Sequence, residues 1–230
     1  MKYSIVIFPG SNCDHDAYNA IKKNLGYNAE FIWHKEGSLP KDTDCVLLPG
    51  GFAHGDYLRC GAIARFSPIM NDVTKFAEKG GYIIGICNGF QVLTESHLLP
   101  GALLRNRDLN FICEDIYLTC CNTNTAFTNL VPTDRPLRIP ISHGEGNYYA
   151  DKDTIDELES NNRIIFRYSN IKGEVTPESN PNGSINNIAA IINKEGNILG
   201  MMPHPERYCD NILGCEDGKY IFQSLFEHLK

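Results

Sequence analysis

The spacing of short apolar runs before residue 100 constrains the fold of this chain more than any other feature. Runs at 3–8, 29–33, 45–48 and 82–86 have the length of strands. Helix signals lie between them, one from Asp14 or Asp16, either of which can cap it, to about Leu25, and one from about Pro68 to Lys79. Strand, helix, strand spacing implies right-handed crossovers and a largely parallel open sheet with helices on both faces. The expected fold class is therefore α/β, one domain over 1–230. From about 110 to 192 the pattern changes: strand-like runs at 112–119, 137–141, 164–168 and 185–192, with one helix at 153–160, read as mixed or antiparallel additions to the same core. The turn-rich stretch 176–183 reads as a surface loop, 198–202 as a last strand and 219–229 as a closing helix.

The run at 82–86 leads straight into a helical pattern at 88–96, with Cys87 at the corner and Gly85 and Gly89 on either side. Gly-x-Cys-x-Gly is the cysteine counterpart of the serine nucleophile elbow, a sharp turn that strains the nucleophile's backbone and brings neighbouring backbones close. A thiol there also lies at a helix N-terminus, which favours the thiolate, the form that attacks. With 9 cysteines and 20 glycines in the chain, the pattern arises by chance at roughly 7 %, so its context has to decide.

That context is chemical. A thiol nucleophile needs a base within hydrogen-bond reach, and the base needs a partner to orient it. His204 and Glu206 offer both, and prolines at 203 and 205 are expected to hold the segment extended, with the two side chains on the same side. The Gly50-Gly51 pair follows the strand at 45–48, where backbone N–H groups could face an oxyanion, with the N–H of Asn88 as a second donor. Active sites of parallel sheets lie at the carboxyl ends of strands, which is where all of these fall.

Charge and composition exclude other classes. The net charge is −7 and no basic run occurs, which argues against nucleic acid or an anionic membrane as partner. The apolar stretch 5–8 before Pro9-Gly10 is too short for a signal peptide and no run of 18 apolar residues exists, so a cytoplasmic protein with free thiols is expected. The stretch 214–220 is one residue short of a phosphate loop and lacks its Ser or Thr, and 143–146 lacks the third glycine of a dinucleotide fingerprint. His204, Cys209 and Cys215 have no usual zinc spacing, so no metal site is expected.

Taken together, these segments resemble the class I glutamine amidotransferases and, within that family, the glutaminase subunits of purine biosynthesis. The resemblance covers nearly the whole chain. It is carried by Pro9-Gly10-Ser11-Asn12-Cys13-Asp14, by Pro49-Gly50-Gly51-Phe52 continuing through 55–65, by Gly85-Ile86-Cys87-Asn88-Gly89-Phe90-Gln91, by His143-Gly144-Glu145-Gly146 and by Met202-Pro203-His204-Pro205-Glu206-Arg207. It implies a class I glutamine amidotransferase-like fold, Cys87 as nucleophile, His204 as acid and base, and Glu206 as its orienting partner. It places Gln91 near L-glutamine, and Ser142, His143 and Gly144 as backbone contacts to the substrate's α-substituents. It implies further that ammonia passes to an ATP-dependent synthetase subunit, assembled with a small accessory subunit, which converts formylglycinamide ribonucleotide to formylglycinamidine ribonucleotide. ATP and Mg²⁺ then belong to the synthetase, and this chain needs no cofactor. Ala53-His54 departs from the Ser-Tyr expected at that point of the family pattern. Two alternatives stand beside this: a cysteine hydrolase or chaperone-like protein on a related fold, where histidine and not Asn88 would follow the nucleophile, and a catalytically silent glutamine-binding subunit.

Overall fold

A computed structural model describes all 230 residues. In chain order the elements are β1 (Lys2–Ile7), α1 (Asp14–Tyr18, continued by a π-helical turn at Asn19–Asn24), β2 (Asn28–Trp33), β3 (Cys45–Leu48), α2 (Pro68–Glu78), β4 (Tyr82–Ile86) and α3 (Asn88–Glu95). There follow β5 (Ala102–Leu104), β6 (Ile112–Cys120), β7 (Leu137–His143), β8 (Asn147–Tyr149), α4 (Lys152–Ser160), β9 (Ile164–Ser169), β10 (Ile188–Ile192), β11 (Ile198–Met201) and α5 (Lys219–His228).

Nine strands form one sheet in the order β2-β1-β3-β4-β11-β10-β9-β6-β7, and β5 pairs with β8 in a separate ribbon. The sheet has two halves. The neighbours from β2 to β11 pair parallel, and those from β11 to β7 pair antiparallel. This is the α/β fold with antiparallel additions that the residue pattern implies. The antiparallel part comes out as large as the parallel one. A single cluster of 56 buried apolar residues runs through both halves, from Tyr3 to Leu225, so no domain boundary divides them.

The helix after the elbow is the most enclosed of the helices. All eight residues of α3 are buried, polar ones included. Gly89 lets it approach: a Cβ there would stand 1.9 Å from the Leu48 carbonyl oxygen, and one on Gly85 would stand 2.8 Å from the Gly89 backbone. The two glycines of the elbow thus clear space for each other and for β3.

Three local expectations need correction, and one element was not foreseen. Neither Asp14 nor Asp16 caps α1; Cys13 occupies that position without a side-chain cap bond, and Asp14 turns to the His15 amide at 2.8 Å. The run at 185–192 is not all strand, because Ile185–Asn187 forms a 3-10 turn with Asn186 and Asn187 at positive φ before β10 begins. The loop at 176–183 is not wholly on the surface: Asn182 is fully buried, with four hydrogen bonds through its side chain. The ribbon of β5 and β8 was not expected, since three-residue strands carry too little periodicity to be seen. No helix is long and apolar enough to cross a membrane.

Candidate active site

Register brings three strand ends together. Leu48 pairs with Gly85 and Met201 pairs with Ile86, so β3, β4 and β11 end side by side. The Cys87 N–H donates to the Met201 carbonyl at 2.7 Å. Gly50 and Gly51 therefore flank Cys87 on one side and His204 flanks it on the other. A Cβ on Gly50 would stand 2.7 Å from His204 Cε1 and 3.4 Å from Cys87 Cβ, so this glycine is required by close approach.

Cys87 has φ +51° and ψ −106°, a left-handed conformation for a side chain with a Cβ. Such strain costs about 1–3 kcal/mol and persists only where the surroundings impose it. Here the β4 ladder fixes one side and the buried α3 the other. The thiol reaches the Ser142 carbonyl at 3.7 Å, and Gly50 lies between Cys87 and the His204 imidazole, close to both.

His204 and Glu206 are 1 % and 2 % exposed, and His204 Nδ1 donates to Glu206 Oε1 at 2.6 Å. The segment is not extended. Pro205–Arg207 forms a 3-10 turn, and it is this turn, with His204 at φ −103° and ψ 83°, that folds the carboxylate back onto the imidazole. Burial works to lower the imidazole's pKa, but the Glu206 charge and the adjacent Cys87 sulfur outweigh it and raise it to about 10. An imidazolium held in this way can give a proton to a leaving group and then serve as a base. Its Nε2 and Glu206 Oε2 are buried without hydrogen-bond partners.

Gly51 has φ +129°, and a Cβ there would meet the Asn12 amide at 2.5 Å. Neither its N–H nor that of Asn88 donates a hydrogen bond, so both are free to meet an oxyanion. The Asn88 side chain ties the neighbourhood together. Its Oδ1 accepts from the Ala53 N–H at 3.0 Å, and its Nδ2 donates to Asp56 at 3.1 Å and to Gln91 Oε1 at 2.8 Å. Ala53 and His54 are accommodated, with the His54 ring packed against His34 at 5.2 Å between centroids.

Gln91 is 4 % exposed, and its Nε2 donates to the Glu145 carbonyl at 2.6 Å, linking α3 to the segment after β7. Of Ser142, His143 and Gly144, only Ser142 turns its carbonyl to Cys87. The carbonyls of His143 and Gly144 both accept from Asn106, at 2.9 Å each. Asn106 Oδ1 accepts in turn from the Gly146 N–H at 3.0 Å and from His143 Nδ1 at 3.1 Å. The His143 ring is thus a neutral, buried strut, and burial followed by the nearby His204 charge lowers its pKa to about 4.

Asn106, Asp56 and Arg207 had no assigned role in the sequence, and Cys13 was noted only as part of a motif. The Cys13 sulfur and atoms of His204 and Glu206 lie within 4.8 Å of one another. These are metal-ligand types, but the sulfur is already engaged as acceptor of a hydrogen bond from the Arg207 guanidinium at 3.1 Å. His204, Cys209 and Cys215 do not form such a group.

A family model for the CobB/CobQ-like glutamine amidotransferase domain matches residues 1–215. The phosphoribosylformylglycinamidine synthase subunit PurQ of Salinibacter ruber is 54 % identical over 228 residues, covering 99 % of this chain and 97 % of that protein. The subunit of the same name from Moorella thermoacetica is 55 % identical over 227 residues, covering 99 % and 96 %. Among solved structures, a chain of PurLQS from Thermotoga maritima superimposes with a TM-score of 0.87 at 40 % identity, covering 100 % of this chain and 99 % of that one. A glutamine amidotransferase from the same organism, 15 % identical with a TM-score of 0.57 over 100 % of this chain and 84 % of that one, shares the fold.

Proposed function

The chain belongs to the CobB/CobQ-like glutamine amidotransferase family, and from that premise we propose that it is the glutaminase subunit of a phosphoribosylformylglycinamidine synthase. The observation that carries this reading is the strained Cys87 corner set beside the buried His204–Glu206 pair. Over half of all positions are shared with PurQ subunits across the whole chain, which supports the same assignment.

In this mechanism the Cys87 thiolate attacks the side-chain amide carbon of L-glutamine. The N–H groups of Gly51 and Asn88 receive the oxyanion, with Gly50 leaving the room for His204 that the geometry requires. The His204 imidazolium protonates the departing ammonia, and the neutral imidazole then takes a proton from water as it cleaves the γ-glutamyl thioester to release glutamate. Glu206 keeps the imidazole in the Nδ1–H orientation throughout. Gln91 and the Ser142–Gly144 segment line the glutamine side of Cys87.

The ammonia serves a synthetase subunit, assembled with a small accessory subunit, that amidates formylglycinamide ribonucleotide with ATP and Mg²⁺ held on the synthetase. The complex works in the cytoplasm. Cys87 and His204 are only 4 % and 1 % exposed, so glutamine enters through a rearrangement that docking of the synthetase promotes. The test is turnover of glutamine and of other amides by the chain alone, with ATP, and in the assembled complex. Ammonia and glutamate are expected in equal amounts, slowly from the free chain and much faster from the complex. Production of neither in the complex overturns the assignment.

A further inference from the structure

Glu206 holds His204 through Oε1, while Oε2 is buried with no hydrogen-bond partner. Leaving a buried acceptor unmatched costs about 1–3 kcal/mol, so what borders this oxygen matters. Beside the pair stands a second thiol, Cys13, which is 3 % exposed and belongs to one 4.8 Å cluster with His204 and Glu206. Its sulfur accepts from Arg207 Nη2 at 3.1 Å, and its S–H reaches Asn12 Oδ1 at 3.4 Å. Its backbone N–H donates to the Gly50 carbonyl at 3.3 Å. That carbonyl shares a planar peptide with the Gly51 N–H, so this bond decides which way the N–H faces.

We propose that Cys13 is a positioning residue for glutamine hydrolysis, seating the Gly50–Gly51 peptide through its main chain and the His204–Glu206 pair through its thiol. The proposal rests on the glutaminase reading above. The thiol is a neutral separator: burial and then the Glu206 charge push it up to about 12, so at neutral pH it remains S–H beside the carboxylate. It also engages Arg207 Nη2, whose guanidinium pairs through Nε with Asp16 at 3.5 Å. Without the sulfur, the guanidinium is the donor able to swing onto Glu206 Oε2, and a cation there competes with His204 for the carboxylate's charge. The groups facing His204 are Glu206 on its own turn, Cys87 from the elbow, His143 from β7 and Cys13 from the loop after β1. Losing the separator therefore weakens the hold of His204 on its proton.

The experiment follows glutamine hydrolysis by the assembled complex across pH for the native chain, Cys13→Ala, Cys13→Val and Cys13→Ser. The alanine and valine variants are expected to lower kcat about tenfold with KM changed less than about twofold, and to move the alkaline limb of the kcat profile to lower pH. Serine can make the same bonds and is expected to restore both. Valine fills the volume without a polar group, so it carries the test if the alanine variant fails to fold. A native kcat and native limb in the apolar variants overturn the proposal, as does a lowered kcat with an unmoved limb or without relief by serine, because either outcome reduces Cys13 to packing. Absence of glutamate release by the native complex would instead defeat the glutaminase reading.

Discussion

Two sets of buried polar groups in this molecule are treated in opposite ways. Two asparagines that brace the antiparallel half are saturated: Asn182 uses its amide for Gly146, Tyr168 and Ser184, and Asn106 uses its own for Asn110, His143 and Gly146. At the parallel strand ends such groups are left open: His204 Nε2 and Glu206 Oε2 have no partner, the Gly51 and Asn88 amides donate to nothing, and Cys87 sits at φ +51°. A saturated amide stabilises a shape, because each bond it makes would cost free energy to leave unmade. An open, strained group is available to bind something that forms during a reaction. The first half of the contrast supports the walls of the site, and the second half carries its chemistry.

The largest effect is expected at the most strained residue. Cys87→Ser should reduce glutamine hydrolysis at least about a thousandfold. A diazo-ketone analogue of glutamine should alkylate Cys87 ahead of the other eight cysteines, as peptide mapping would show; labelling distributed by exposure alone would remove the elbow from the comparison. Next come the two open members of the pair. His204→Ala loses acid and base and should cost about a thousandfold in kcat, whereas Glu206→Gln keeps shape and should cost about ten- to a hundredfold. Equal losses would mean that the carboxylate takes part in proton transfer and does not merely orient.

On the saturated side, Asn106→Ala strands a backbone N–H, two carbonyls and a ring nitrogen, and chemical denaturation should show a loss of about 2–4 kcal/mol. Its kcat should fall far less than that of His204→Ala. A large kcat loss with native stability would erase the distinction between wall and chemistry. The smallest effect is a slope. The folded-state pKa of His143 lies at about 4, below its ordinary value, so the folded chain resists protonation that the unfolded chain accepts. Its contribution to stability is present at neutral pH and is lost as pH falls from about 6.5 towards 4. His143→Gln should flatten that part of the stability profile. His204 runs the other way, with its raised pKa contributing stability that is lost as pH rises through about 10.

How much of this was visible beforehand follows the same division. The elbow was legible because its strand, corner and helix are contiguous, and Gly85 and Gly89 stand in fixed relation to Cys87. His204 and Glu206 were legible as a pair, but a 3-10 turn and not an extended backbone joins them. Asn106 was not legible: its side chain's partners lie 37 or more residues away apart from Asn110, and side-chain bonds to distant groups leave no period in a sequence. The same holds for Asn182, whose stretch of Asn, Pro and Gly reads as an exposed turn until Gly146 and Tyr168 arrive to bury it. Cys13 was visible only as a motif member, because its neighbours Gly50 and Arg207 come from the far ends of two other strands.

The position of β11 has a consequence for the order in which a new chain becomes reactive. This strand is the last of the eleven in sequence, yet it lies in the middle of the sheet, between β4 and β10. A ribosome completes Cys87 more than a hundred residues before His204 emerges, so a growing or prematurely ended chain holds the sulfur without its proton carrier. Pairing over such sequence distances is slow to form, which makes insertion of β11 a late event in folding. Glutamine is therefore safe from unfinished copies, and the first ammonia released by a maturing chain marks the moment at which the centre of its sheet has closed.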